Sequence, residues 1–215
     1  MFEDRTDAGQ QLAEKLAALA PADPVVLALP RGGVPVAAEV ARRLGAPLDL
    51  ILVRKIGVPG HEELAVGAVV EGAGATVFNT GVLRMLGRTK ADFQAARQEK
   101  LAEIAARRAR YLEGRAPVPL AGRTAIIVDD GIATGATARA ALTGLAERGP
   151  ARIILAVPVA PRDSLSKLRP LVDELICLMA PDPFIAVGAY YRDFRQLGDG
   201  EVVALMQAAA RPATG

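Results

Sequence analysis

The residues with the clearest chemical use lie in one stretch, 125–137, which reads AIIVDDGIATGAT. Its first four residues are apolar and mostly β-branched, which is typical of a buried strand. Two adjacent carboxylates, Asp129 and Asp130, follow directly. Carboxylates repel phosphate but accept hydrogen bonds from hydroxyl groups, such as the cis hydroxyls of a ribose. The acidic pair therefore predicts a site for a hydroxyl-bearing ligand, the alternative being two solvated loop acids.

The second half of the stretch is a loop of small residues that leads into a predicted helix. Gly135 permits the backbone conformation in which successive N–H groups point inward, and the helix start adds unpaired N–H groups. Thr134 and Thr137 supply hydroxyl donors. Because all of these groups favour an anion, the loop predicts binding of a phosphate monoester beside the acidic pair.

Basic residues and glycines follow two earlier predicted strands, which cover residues 25–29 and 48–53. They are Arg31, Gly32 and Gly33 after the first strand, and Arg54 and Lys55 after the second. Ligands of a parallel sheet gather at the carboxyl ends of its strands, so we expect these cations to lie near the acidic pair. The glycines would allow the backbone to approach a ligand closely. Solvated turn and strand ends are the alternative interpretation.

These three segments together resemble type I phosphoribosyltransferases. The string VDDGIATGAT is similar to the motif with which that family binds 5-phosphoribosyl diphosphate (PRPP), and PRGG, residues 30–33, is similar to its pyrophosphate loop. The resemblance implies an α/β fold with a parallel-sheet core, an inserted loop-and-helix segment and a small C-terminal hood. We expect one domain over residues 1–215, with the core at about 21–55 and 122–179, the insertion at 56–121 and the hood at 180–215.

The resemblance also implies a reaction, the Mg²⁺-dependent transfer of a phosphoribosyl group from PRPP to an unidentified, nucleobase-like nitrogen acceptor with release of pyrophosphate. Asp129 and Asp130 would hold the ribose hydroxyls, directly or across Mg²⁺, and would act in catalysis together with Arg54 and Lys55. The 5-phosphate would be held by Gly131, Ile132, Ala133, Thr134, Gly135, Ala136 and Thr137. The diphosphate would be held by Arg31, Gly32, Gly33, Arg54 and Lys55.

The predicted hood contains FIAVGAYYRDF, which is loosely similar to the hood of the purine-salvage members of the family. In those proteins an aromatic side chain stacks on the acceptor base and a carboxylate binds its edge, which makes Phe184, Tyr190, Tyr191 and Asp193 the candidates here. The purine branch also has an aspartate three positions after the acidic pair, where this chain has Ala133. The acceptor and the general base therefore stay open.

Two other functions fit the same residues. A regulatory protein with this fold would sense PRPP or a nucleotide without turnover, but a sensor for a monophosphate would not need the diphosphate cations. An α/β phosphatase would need a nucleophile, and Asp129 lacks the D-x-D spacing of such enzymes.

The predicted insertion begins with a glycine-rich region, where the family carries a mobile loop over the active site. Residues 64–70 and 75–78 predict a hairpin, and residues 89–92 resemble a capping box that begins a helix ending near residue 112. Charges of both signs alternate along that helix, which indicates a solvated face and argues against nucleic-acid binding. His61 is the single histidine, with Glu62 and Glu63 beside it. A lone histidine in such a loop is more often a solvated residue than a metal ligand or an acid/base group.

The composition excludes several classes of protein. The chain has 215 residues, of which 51% are hydrophobic, so it is long enough for one domain with a substantial core. The net charge of +2 gives no argument for nucleic acid, and the lone Cys177 excludes an internal disulfide. No run reaches the ~18 apolar residues of a membrane helix, and the first residues lack a signal peptide. We expect a cytoplasmic protein with no membrane partner, and the resemblance allows a homodimer.

Overall fold

The computed structural model describes residues 1–58, 61–72 and 76–210, with the backbone alone for residues 61–64. Strands and helices alternate along most of this part of the chain, as in an α/β fold. The strands are β1 (Pro24–Ala28), β2 (Leu48–Leu50), β3 (Val53–Val58), β4 (His61–Val70), β5 (Thr76–Phe78), β6 (Thr124–Val128), β7 (Arg152–Val159) and β8 (Glu174–Met179). The α-helices are α1 (Arg5–Leu19), α2 (Gly33–Leu44), α3 (Thr80–Met85), α4 (Gln94–Leu112), α5 (Ala136–Ala146), α6 (Arg162–Leu168) and α7 (Asp199–Ala210).

Five strands form a parallel sheet in the order β2-β1-β6-β7-β8, with an apolar cluster on each face. β6 is buried along its whole length, as expected for a central strand of such a sheet. It pairs with β1 from Thr124 opposite Pro24 to Val128 opposite Ala28. The two strands end at the same level, and the N–H of Leu29 still donates to the carbonyl of Val128 at 2.9 Å. The predicted parallel core is confirmed, and its register places the glycine loop beside the acidic pair.

The prediction of a second core strand over residues 48–53 is wrong in its extent. β2 ends at Leu50, and β3 begins at Val53 in a separate antiparallel sheet of order β3-β4-β5. Arg54 and Lys55 therefore lie inside β3, opposite residues of β4, instead of following a core strand.

Buried polar side chains make contacts on both sides of the break between β2 and β3. Asp49 is buried and accepts a hydrogen bond from the N–H of Val118 at 2.8 Å, while Glu71 accepts one from the N–H of Leu52 at 3.4 Å. Arg108 of α4 pairs with Asp49 at 3.1 Å and with Glu71 at 2.7 Å. Residues 48–53 form one largely apolar run in the sequence. The run gives no sign of the break between β2 and β3, because the polar partners are distant along the chain.

The hairpin and the capping box of the insertion agree with the prediction, whereas the position of His61 does not. β4 and β5 form the expected antiparallel pair, and Asp92 accepts from the N–H of Thr89 at 2.6 Å, which confirms the capping box. The first turn is a 3-10 helix, Lys90–Phe93, which continues into α4. His61 begins β4 instead of lying in a loop, and its side chain lies outside the described part of the chain, as do residues 59–60.

The N-terminal segment packs against the C-terminal region after the core sheet. Phe2 forms a bridge with Tyr191, and their ring centroids are 5.2 Å apart. α1 follows directly, beginning at the N-cap Asp4, and packs along α2. Within the described residues, no helix combines the length and the hydropathy that a membrane span would need.

Candidate functional site

The acidic pair lies at the carboxyl end of β6, half-buried and in contact with the glycine loop that follows β1. A β-carbon added to Gly32 would lie 2.0 Å from Oδ2 of Asp130, and one added to Gly33 would lie 2.7 Å from the carbonyl oxygen of Val128. At Gly33 the obstacle is backbone, so only glycine fits there, whereas a β-carbon at Gly32 would displace the Asp130 carboxylate. The first and third predicted segments of the site therefore touch each other.

Burial and mutual repulsion dominate the electrostatics of the pair. Burial raises the pKa of Asp129 well above the usual carboxyl range, and the neighbouring charge of Asp130 raises it further, while Arg5 opposes the rise. The N–H of Asp130 donates to Oδ1 of Asp129 at 2.9 Å, which favours the ionised form of Asp129. The site therefore favours a proton, a metal cation or a hydroxyl donor at Asp129.

The loop after the pair is constrained at both ends. A β-carbon on Gly131 would lie 2.4 Å from Val187 of the C-terminal region, and the N–H of Ile132 donates to the carbonyl of Val159. Gly135 is the N-cap of α5 and has a φ of 76°, a conformation that favours glycine. Ser164 donates to the carbonyl of Ala133 at 2.6 Å.

The middle of the loop presents donors to solvent. Thr134, Ala136 and Thr137 are exposed and lie at the start of α5, where the first backbone N–H groups have no partner within the helix itself and the helix dipole is positive. This geometry can bind a phosphate.

A cavity of about 450 Å³ lies between this loop and the antiparallel sheet. The cavity is lined by loop residues 134–137 and by apolar residues of β3, β4 and β5, which include Phe78. Among the described lining residues, the charged ones are all basic: Lys55, Arg139 and Lys167. The structure therefore places Lys55 beside the loop predicted to hold the 5-phosphate.

Arg54 points away from Lys55, because successive residues of a strand face opposite sides of the sheet. Its Nε lies 3.4 Å from Glu103 of α4. Burial lowers the pKa of the Arg54 guanidinium, and the charge of Arg107 lowers it further. The prediction that both basic residues meet one diphosphate rested on the wrong strand boundary, and the structure divides them between two faces.

Arg31 extends from the glycine loop towards α7. Its Nη1 lies 3.5 Å from Asp199, and its side chain is 36% exposed. Asp199 also pairs with Arg110 at 2.7 Å and accepts a hydrogen bond from the Tyr111 hydroxyl at 2.6 Å. The predicted diphosphate cation is thus in contact with a carboxylate that has two further partners.

The four predicted acceptor residues divide into three environments. Phe184 and Tyr190 stack on each other with ring centroids 5.7 Å apart and are partly exposed. Tyr191 is only 5% exposed, and its hydroxyl donates to the carbonyl of Asp130, so it has little surface to offer a ligand. Asp193 lines a different cavity, of about 350 Å³, together with Arg5. The structure thus places Phe184 and Tyr190 together and supports a packing role for Tyr191.

A third residue at the acidic pair was absent from the sequence prediction. Arg5, the first residue of α1, places its Nε 2.8 Å from Oδ2 of Asp130. The string DRTD signals a helix start through the N-cap Asp4, but nothing in it marks the arginine as part of a site 125 residues away.

The carboxylates of Asp129 and Asp130 are the groups of this site that could bind a metal ion. The described residues contain no group of three or more His, Cys, Asp or Glu side chains arranged to hold a metal ion. Mg²⁺ binds through one or two carboxylates and takes its remaining ligands from water and phosphate oxygens, so Asp129 and Asp130 fit a magnesium ion that arrives with a phosphorylated ligand.

Known proteins of similar sequence include phosphoribosyl transferases. A provisionally assigned phosphoribosyl transferase of Mycobacterium tuberculosis (strain ATCC 25618 / H37Rv) is 49% identical over 211 residues, which are 98% of this chain and 47% of that protein. The chain thus spans about half the length of the curated relatives it matches first. The bifunctional protein PyrR of Chloroflexus aurantiacus is 35% identical over 130 residues, 59% of this chain and 65% of PyrR.

One solved structure covers the same length as this chain. The crystal structure of TT1426 from Thermus thermophilus superposes with a TM-score of 0.86 at 43% identity, over 98% of this chain and 100% of that one. A family model described as the phosphoribosyl transferase domain matches residues 4–193. The chain therefore belongs to the phosphoribosyl transferase domain family.

Proposed function

We propose that this chain transfers a 5-phosphoribosyl group from PRPP to a ring nitrogen of a nucleobase-like acceptor, as a pentosyltransferase. The bond between C1 of the ribose and the diphosphate oxygen breaks, a bond between C1 and nitrogen forms, and the nitrogen loses its proton. Pyrophosphate leaves. Core, insertion and hood form one domain in this proposal.

The observation that carries the proposal is the contact between the acidic pair and the glycine loop. The carboxylates of Asp129 and Asp130 can accept hydrogen bonds from the hydroxyl groups of a ligand. They adjoin the backbone of Gly32 and Gly33. The start of α5, which suits an anion, lies a few residues further along the chain. PRPP carries its diphosphate, its cis hydroxyls and its 5-phosphate around one ribose ring. The three parts of the site therefore have the chemistry of the three parts of PRPP.

The charges of the acidic pair would contribute to the chemical step as well as to binding. Departure of the diphosphate leaves positive charge on the ribose ring, and fixed carboxylates stabilise such a developing charge. Arg31 would bind the leaving diphosphate together with the N–H groups of the glycine loop. Magnesium would be held by Asp129 and Asp130 and would neutralise part of the diphosphate charge.

The structure suggests different partners for the two basic residues of β3 from those expected from the sequence. Lys55 would support the 5-phosphate, since it lines the cavity that the phosphate loop also lines. Arg54 would act indirectly, because it pairs with Glu103 and stabilises the contact between β3 and α4.

The acceptor would bind at the stacked pair Phe184 and Tyr190, whose partly exposed rings suit a flat heterocycle. The methyl group of Ala133 cannot accept the acceptor's proton. An acceptor that is already a good nucleophile, or that brings its own proton acceptor, therefore suits this site better than a 6-oxopurine does.

The test is release of pyrophosphate from PRPP and Mg²⁺ during incubation with a panel of purines, pyrimidines and other nitrogen heterocycles. We expect one class of acceptor to give turnover that Asp130→Asn abolishes. Magnesium-dependent binding of PRPP without turnover on any acceptor would instead favour a PRPP-sensing regulator with the same fold.

A further inference from the structure

Arg5 is a buried cation whose guanidinium contacts three different segments. Its side chain is 10% exposed, which is rare for arginine unless the charge is paired. Nε donates to Oδ2 of Asp130 at 2.8 Å, and Nη1 donates to the carbonyl of Arg195 at 2.9 Å. The guanidinium carbon lies 3.9 Å from the centroid of the Phe194 ring, in cation–π contact. One side chain of α1 thus connects the acidic pair to the C-terminal region.

These contacts enclose the Asp130 carboxylate from two sides. Arg5 contacts Oδ2, and the α-carbon of Gly32 lies so near that any β-carbon would overlap the same oxygen. The carbonyl of Asp130 meanwhile accepts a hydrogen bond from the Tyr191 hydroxyl. The carboxylate plane therefore has few orientations available to it.

The charge of Arg5 also addresses a conflict within the motif. Two adjacent carboxylates would repel the anionic ligand that the following loop attracts. A guanidinium in contact with one of them offsets about one negative charge, and the partial burial of the pair increases the interaction energy relative to water.

We propose that Arg5 is a positioning residue of the phosphoribosyl site: it orients the Asp130 carboxylate against the pyrophosphate loop and couples that orientation to the C-terminal hood. The inference rests on the proposed function, because it assigns Asp130 to the ribose hydroxyls. The two nitrogens that contact Asp130 and Arg195 require the fork of an arginine. A lysine has a single nitrogen and cannot reproduce this planar arrangement of donors.

The competing explanation is that Arg5 only ties α1 to the hood for stability. Ligand affinity separates the two roles when it is measured well below the unfolding temperature. A purely stabilising contact would lower the Tm of its variants and leave affinity and KM unchanged.

The experiment compares wild type, Arg5→Gln and Arg5→Lys by calorimetric titration with PRPP plus Mg²⁺ and with ribose 5-phosphate. The matched control is Arg43→Gln, which removes an arginine–carboxylate pair of the same 2.8 Å length between α1 and α2 without touching the motif. We expect Arg5→Gln to weaken both ligands by about tenfold or more, Arg5→Lys to weaken them about threefold, and the control to bind as wild type.

Unchanged affinity in both Arg5 variants would overturn the proposal. If Arg5→Gln does not fold, Arg5→Lys decides alone, and wild-type affinity and KM in that variant would overturn it. A third result is possible: wild type binds ribose 5-phosphate but not PRPP, and the Arg5 variants bind ribose 5-phosphate more weakly. That result would contradict PRPP as the donor and support the role of Arg5. Wild-type protein that binds neither ligand would remove both.

Discussion

At the scale of single residues, the site combines groups that do not stabilise the folded protein on their own. Asp129 is the clearest case, since folding raises its pKa by burying it beside Asp130. A carboxyl group whose pKa rises on folding destabilises the native state once the solution is basic enough to ionise it in the unfolded chain. Such costs are common where a site is built to receive a ligand.

Asp129→Asn should therefore stabilise the ligand-free protein at neutral pH. Well below pH 4, the usual aspartate pKa being about 3.9, the carboxyl is protonated in both states and the gain should vanish. As the pH rises above that range, only the unfolded carboxyl ionises freely, and the gain should grow. We expect the Tm at neutral pH to rise by a few degrees, because about 1 kcal/mol shifts the Tm of such a domain by roughly 2–4 °C. Thermal denaturation between about pH 4 and pH 8 measures this, and a pH-independent difference would contradict it.

Gly32→Ala should damage the site without straining the backbone. Gly32 has the ordinary right-handed helical conformation, with φ of −59° and ψ of −36°, but the added β-carbon would lie 2.0 Å from Oδ2 of Asp130. The carboxylate would have to move, so we expect binding of PRPP to weaken by about tenfold or more. Gly200→Ala is the control, since nothing lies within 4 Å of its added β-carbon. Equal affinity of Gly32→Ala and wild type in calorimetry would disprove the contact.

At the scale of elements, two networks of ion pairs connect segments that are distant along the chain. The first runs from the glycine loop to α7, through the ion pair of Arg31 with Asp199. A diphosphate bound at the loop would compete with Asp199 for the same guanidinium. If Arg31 binds the diphosphate as proposed, Asp199 at the start of α7 would oppose that binding.

Asp199→Asn should consequently strengthen the binding of inorganic pyrophosphate by several-fold, because one competitor for Arg31 loses its charge. Ribose 5-phosphate carries no diphosphate and should bind the variant as it binds wild type. Competition and direct titration with the two ligands provide the measurement. A change of the same size for both ligands, or a loss for pyrophosphate, would show that Asp199 does not compete.

The second connection is the buried ion cluster of Asp49, Glu71 and Arg108, which joins β2, the end of β4 and α4. Burial raises the pKa of Glu71, and the Arg108 charge acts in the opposite direction. Removal of the Arg108 charge would leave the buried carboxylates of Asp49 and Glu71 without the cation that pairs with both of them.

Arg108→Met should lower the free energy of unfolding by about 3–5 kcal/mol, the cost of breaking a buried ion pair on one side. Lys100→Met on the same helix removes a more solvated pair with Glu103 and should cost about 1 kcal/mol or less. Urea denaturation of the two variants compares them. A loss for Arg108→Met no larger than for Lys100→Met would show that the cluster contributes little.

At the scale of the whole molecule, the sequence was sufficient for the features that depend on local patterns. The parallel core, the β4–β5 pair, the capping box at Thr89 and the start of α5 all follow from hydrophobic runs and capping residues that are adjacent in the sequence. The phosphate loop and the acidic pair are contiguous for the same reason.

Features that depend on distant partners could not be read in this way. The end of β2 is set by Glu71 and Arg108, and the burial of Tyr191 by Phe2, all far along the chain from the residues they affect. Arg5 belongs to this class too. The division of Arg54 from Lys55 then follows from the strand boundary, because alternation sends neighbours to opposite faces.

The central claim is that the acidic pair, the glycine loop and the start of α5 form one PRPP site. Calorimetric titration of the wild-type protein with PRPP, in the presence and absence of Mg²⁺, tests it most directly. We expect magnesium-dependent binding with a Kd on the order of micromolar. No detectable binding under either condition would contradict it, because these groups would then have no shared ligand.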